Sequence, residues 1–277
     1  MREHKVTGTG GTSLYVADAG PETAPAVLLV HGYSQCHLSW EKQLDGLSDR
    51  YRVVAPDLRG HGSSDKPADG YDQSANWGGD IAAVIAQLDL HVPVLVGWSM
   101  GGWVVCDHLA HHGGAGIGGV ALVGSNLQTG DNLPAAVKAA RQADVTAMGM
   151  YLEDLGENLA ATVAFVRACF HQQPQEDDLA RIVGFNMLVP PSIRWACRMR
   201  TLDYRGVFGE FSGPKMLMQG ARERVCVPAA FDMMTANAPD AEVVIFPNSG
   251  HSPFWEEPEA FNTKLAAFVD RCGEVAA

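Results

Sequence analysis

The sequence is short of cations: Lys and Arg number 20 against 32 Asp and Glu in 277 residues, a formal net charge of −12. Nucleic acids and anionic membranes draw on clustered positive charge, so neither is an expected partner. Six cysteines, at positions 36, 106, 169, 197, 226 and 272, form no C-x-x-C pair and no finger-like spacing. That argues against a zinc ribbon and a dithiol redox motif and leaves idle thiols in a reducing compartment. Long apolar runs are missing too: stretches such as Ala26–Val30 fall far short of the ~20 residues that span a bilayer. Met1 to Gly11 is polar and holds no apolar secretion core, so a cytoplasmic protein is expected. No internal repeat or low-complexity tract stands out.

What is present is 47% hydrophobic residues, enough for one large domain that needs no disulfide or structural metal. Lys5–Asp18 reads as strand broken by a hairpin turn at Gly8–Gly11. Ala26–Val30 is apolar throughout and stops at His31-Gly32, as a strand buried on both faces does. Tyr51–Ala55, Pro93–Val96 and Val120–Val123 repeat the pattern, with helical spacing between them at Leu38–Leu47, Ala75–Leu88 and Gly102–His112. After a gap the alternation resumes with Met216–Gln219, Ala229–Asn237, Val243–Phe246 and Glu257–Asp270. Such alternation predicts an α/β fold, a mostly parallel central sheet with helices on both faces. The gap contains no convincing strand. Leu155, Leu159, Val163, Val166 and Phe170 recur there at helical steps, and Pro174 and Pro190-Pro191 divide it. Residues 1–125 and 206–277 therefore read as the core, and 126–205 as a helical cap inserted into it.

Gly97-Trp98-Ser99-Met100-Gly101 stands between an apolar strand and a helix. A serine on that sharp turn exposes its hydroxyl above the sheet, and the flanking glycines avoid backbone clashes. Serine at its free pKa is a poor nucleophile and needs a base. Of ten histidines, His251 is the candidate, because its loop follows the eighth expected strand and so faces the same crevice as Ser99. His108, His111 and His112 share a helix end, where cations meet the helix dipole favourably, and no metal site is expected of them. His31 reads as a support of its loop, and His61 lies in a Gly-rich turn.

The elbow, His31-Gly32, the run Pro56-Asp57-Leu58-Arg59-Gly60-His61-Gly62-Ser63-Ser64, and Gly250-His251-Ser252-Pro253-Phe254 together resemble the capped α/β hydrolases. The likeness covers roughly 12–125 and 212–270; between them only length and helical character match. It implies that the backbone N–H groups of Tyr33 and Met100 form an oxyanion hole, each donor supplying on the order of 3 kcal/mol. It also implies an acid three residues past the glycine that ends the seventh strand. Members usually carry Asp there. This chain has Glu223 after Gly220, and either carboxylate can hold an imidazole tautomer. Some relatives place the acid after the sixth strand, where this chain offers no carboxylate before Asp131.

The expected reaction is carboxylic ester hydrolysis by Ser99, Glu223 and His251, on a linear ester or lactone as small-molecule substrate, with no cofactor. A serine at this position excludes the routes of haloalkane dehalogenases and epoxide hydrolases, which use Asp. Trp98, Met148, Met150, Phe165, Met187 and Trp195 are the apolar candidates for the substrate pocket. Gly-Trp-Ser, the Glu position and Gly-His-x-Pro-Phe are also similar to acyl-homoserine lactonases of this fold, which makes such lactones the sharpest specific alternative. A cofactor-free haloperoxidase running perhydrolysis is another. A non-catalytic receptor is a third, and the intact Ser, Glu and His argue against it.

Overall fold

In the computed structural model, which describes residues 1–135, 137 and 145–276, strand alternation decides the layering. Strands β3 (Ala26–Val30), β4 (Arg52–Pro56), β5 (Val94–Trp98) and β6 (Gly119–Val123) are buried at every position. Successive side chains point to opposite faces, and each face meets its own helices. Leu28, Val30, Leu95 and Leu122 pack with helices α2 (Ser74–Gln87) and α3 (Met100–His112). Val27, Leu29, Val96 and Val123 pack on the other side with α1 (Glu41–Leu47).

The eight strands run in the order β1-β2-β4-β3-β5-β6-β7-β8. β1 (Arg2–Thr7) and β2 (Ser13–Ala19) form the hairpin expected around the glycines, and β2 joins β4 antiparallel. From β4 to β7 (Lys215–Gly220) and β8 (Glu242–Phe246) every pairing is parallel. β4 lies on one side of β3 and β5 on the other, so strand order reverses there. Crevices form at the carboxyl ends of the strands flanking such a switch point.

Between β6 and β7 the described residues form helices, with a single isolated bridge, Gln128 to Asp203. They are α4 (Leu155–Ala168), α5 (Glu176–Met187), α6 (Pro191–Arg198) and α7 (Arg205–Glu210). Residues 136 and 138–144 of the expected insertion lie outside the described set. Val166 and Phe170 of the expected apolar stripe are buried and Val163 packs against them, but the first turns of the helix at 155–168 bury a different face. Leu155 and Leu159 are exposed, whereas Asn158 and Thr162 are buried with Val166. The cause is Arg194, 1% exposed, whose guanidinium donates to Asn158 Oδ1 (2.8 Å) and Thr162 Oγ1 (3.1 Å). A buried guanidinium needs acceptors, and that need turns the polar face of α4 inward.

Three helices complete the core: α8 (Pro228–Asn237), α9 (Pro253–Glu256) and α10 (Pro258–Ala276). Among the described residues no helix is long and apolar enough to cross a membrane.

Candidate active site

Ser99 sits between β5 and α3 at φ 54°, ψ −118°, a left-handed conformation that costs a non-glycine residue about 1–3 kcal/mol. Local bonds hold it there. Its N–H donates to Val123 O (2.8 Å), and its carbonyl accepts from Gly102 N (3.0 Å) and Ser125 Oγ (2.8 Å). The turn is so tight that a Cβ on Gly97 would lie 2.6 Å from Gly101 O, and one on Gly101 would run into the Val30 carbonyl. The flanking glycines of the motif are thus required by backbone proximity.

The His251 loop follows β8 and is pinned through its backbone. His251 N donates to Cys169 O (3.1 Å), and its carbonyl accepts from Trp98 Nε1 (2.8 Å). Nδ1 lies 2.7 Å from Glu223 Oε2. The other oxygen, Oε1, accepts from the N–H groups of Val225 (2.6 Å) and Cys226 (3.0 Å). With both oxygens acting as acceptors, the shared proton belongs on Nδ1, which leaves the Nε2 lone pair free. Glu223 is held at the end of β7, where Arg222 N bonds Ser249 O (2.9 Å) and ties the acid loop to the histidine loop. The half-buried carboxylate of Glu256 fastens a third segment to these. Oε1 accepts from Gly250 N (2.8 Å), while Oε2 accepts from His171 N (2.8 Å) and Gln172 N (2.7 Å), just beyond α4.

Ser99 and His251 line one cavity of about 160 Å³ with Tyr33, Met100, Phe165 and Cys226. Among the described residues, neither the Tyr33 nor the Met100 N–H donates to a protein acceptor. The Tyr33 loop is set by His31, which is wholly buried. Its Nδ1 donates to Gly32 O (2.8 Å) and its Nε2 accepts from Leu58 N (3.0 Å). Burial pushes the His31 imidazole down to about 4, so it stays neutral. His61 beside it is likewise pushed to about 3 by burial.

The pocket candidates divide. Phe165 lines the cavity and meets Tyr33 edge-on, and Met150 lines it as well. Trp98, Met148, Met187 and Trp195 do not, and each needs correction. Trp98 shares strand parity with Val94 and Val96, so its ring packs on the opposite side of the sheet against Phe254 (4.7 Å between centroids). Met148 and Trp195 face solvent, and Trp195 borders a separate surface groove. Met187 is half-buried in the Trp98 layer, with its sulfur toward Arg194. Sequence reasoning missed Trp103, Tyr151, Arg198, Arg224, Val225 and Val227 in the lining. For Trp103 a signal existed, since it lies one helical turn beyond Ser99.

Asp131 is exposed in the turn Gly130–Asn132 and is not in the cavity lining. His108 stacks on His112 and His111 meets Ser74 Oγ (2.9 Å). Among the described residues the three-donor grouping is elsewhere, at Cys36, His37 and Asp57. Asp57 already accepts from His37 N, His37 Nδ1 and Ser63 N, and none of the three lines the cavity.

A strained serine at a strand-to-helix turn, over a parallel sheet that closes with a histidine loop, defines a class, and residues 25–258 match the model of the alpha/beta hydrolase fold family: the chain belongs to that family. The chain is similar to the esterase from Rhodococcus sp. ECU1013, with 30% identity, TM-score 0.88, and coverage of 98% of this chain and 99% of that one. The esterase from Exiguobacterium antarcticum is 26% identical at TM-score 0.83, covering 97% and 100%. The AB hydrolase superfamily protein YisY of Bacillus subtilis (strain 168) is 28% identical over 273 residues, 96% of this chain and 98% of that protein.

Proposed function

We propose that the chain is a serine hydrolase of carboxylic esters working through an acyl-enzyme. The observation that carries this reading is the Glu223–His251 bond of 2.7 Å beside the strained Ser99 in one cavity. In this mechanism Ser99 Oγ attacks the ester carbonyl and passes its proton to His251 Nε2. Glu223 keeps the proton on Nδ1 and stabilises the imidazolium that forms. The carbonyl oxygen, now negative, takes hydrogen bonds from the Tyr33 and Met100 N–H groups. The alcohol leaves with the proton from Nε2. Water, deprotonated by His251, then attacks the acyl-enzyme and releases the acid. The sequence of steps asks for no cofactor. The helices between β6 and β7 act as a cap, which Met150, Tyr151 and Phe165 support by lining the cavity. The similar esterases favour an ester; a lactone is the same bond closed into a ring, and perhydrolysis replaces water with peroxide in the last step.

The test is p-nitrophenyl acetate hydrolysis by wild type and Ser99→Ala, with an organophosphonate label read by intact mass. Wild type should release chromophore and gain one label. Ser99→Ala should take up no label and lose roughly 10⁶ in kcat. Full activity in Ser99→Ala would overturn the nucleophile assignment, and an inactive, unlabelled wild type would favour a receptor.

A further inference from the structure

The charges around the cavity run against the charge of the molecule. The chain carries −12 overall, yet among the described residues the lining contains Arg198 and Arg224 and no Asp or Glu. Both arginines are exposed, and among the described residues neither has an ion-pair or hydrogen-bond partner. By contrast, neighbouring Arg200 and Arg205 are each paired with an aspartate. A third cation stands behind the wall. Arg194 precedes Arg198 by four residues on α6, so the two share a helix face. Its guanidinium is buried among neutral acceptors only: Asn158, Thr162, and the carbonyls of Met150 and Asn186. Among the described residues no carboxylate neutralises it and Nε has no partner, and its charge is felt at Tyr33 and Tyr151, both in the lining. A buried, uncompensated charge is weakly screened and projects its field into the adjoining cavity.

We propose that the substrate is an ester bearing a carboxylate, such as a half-ester of a small dicarboxylic acid. Arg198, from the segment between β6 and β7, and Arg224, from the loop after β7, bind the carboxylate, with Arg194 adding to the positive potential in the cavity. This rests on the serine-hydrolase reading above. A guanidinium presents paired donors that match a carboxylate, and two of them in one cavity lining select for that group. In the remaining wall, Met150, Phe165 and Val227 suit a short apolar spacer between carboxylate and ester.

The experiment compares monoethyl succinate with ethyl 4-oxopentanoate, a neutral ester of matched length, at low and high salt. Wild type should favour the anionic ester at least tenfold in kcat/KM, mainly through KM, and the preference should shrink as salt screens the exposed arginines. In the Arg198→Gln/Arg224→Gln protein the ratio of the two esters should fall toward one. Calorimetric binding of monoethyl succinate to Ser99→Ala reads the same site without turnover, and there the double substitution should weaken binding at least tenfold. A wild-type ratio at or below one, or a ratio and affinity indifferent to the arginines, overturns the proposal. If the neutral ester is still hydrolysed, the serine-hydrolase reading survives that loss. Hydrolysis of neither ester, with monoethyl succinate still bound through the arginines, would sink that reading alone.

Discussion

Glu223 carries one methylene more than the aspartate usual at its position, and the loop absorbs the extra length by giving Oε1 two backbone donors while Oε2 faces His251. Glu223→Gln keeps the volume but puts an amide where the imidazole needs an acceptor and a counter-charge. The expected result is a folded protein with kcat down by about two to four orders of magnitude. Asp131→Asn, remote from the cavity, should stay near wild type; kcat/KM for both variants, with circular dichroism for folding, checks the pair. Collapse of the Asp131 variant instead would move the acid to the sixth strand. Ser99, His251 and Glu223 are legible in the sequence because each lies at a fixed offset from a strand end, where backbone geometry leaves few residue types. The pocket wall is not legible in this way. Residue type reports that Trp98 and Met187 are buried and is silent about which side of the sheet buries them. Strand parity was the available signal: Trp98 follows Val94 and Val96 on their face, away from the serine.

At the scale of elements, α3 begins at the serine and holds Asp107 in its last turns. Both Asp107 oxygens accept from Arg200 Nη2 (2.7 and 2.8 Å), Tyr204 also donates to that carboxylate, and both members of the ion pair are wholly buried. This latch ties the segment between α6 and α7 to the helix that follows Ser99. Removing one partner strands a buried charge, so Asp107→Asn should cost about 3–5 kcal/mol. In a chain of this size that is roughly a 6–20 °C fall in Tm, measurable by calorimetry. An unchanged Tm would show that the latch is energetically idle. The core elements could be read from apolar runs and turn residues because the sheet demands strict burial. The cap helices were harder, since the buried side of α4 is chosen by a polar group, Arg194, that lies 32 residues beyond Thr162 and leaves no trace in local apolar spacing.

Across the whole molecule, three buried imidazoles contribute to the loss of stability in acid. Burial lowers His31 and His108 to about 4 and His61 to about 3, while the unfolded chain returns each to the ordinary value near 6.5. Between those limits the unfolded state binds more protons than the folded one. The stabilisation is therefore complete above about pH 6.5 and is lost as pH falls toward 4, by up to about 1.4 kcal/mol per pH unit for each group. Urea midpoints measured from pH 7.5 down to 5 should decline steadily, and a flat profile would contradict the burial of these rings.

Glu256 links two properties usually treated as separable. One of its oxygens holds the glycine beside His251, and the other holds two amides at the end of α4. A cap that lifted about this seam would pull on the loop that aims the imidazole. On the proposed mechanism, the backbone beyond α4 and the loop that aims the base share one carboxylate at this edge of the molecule.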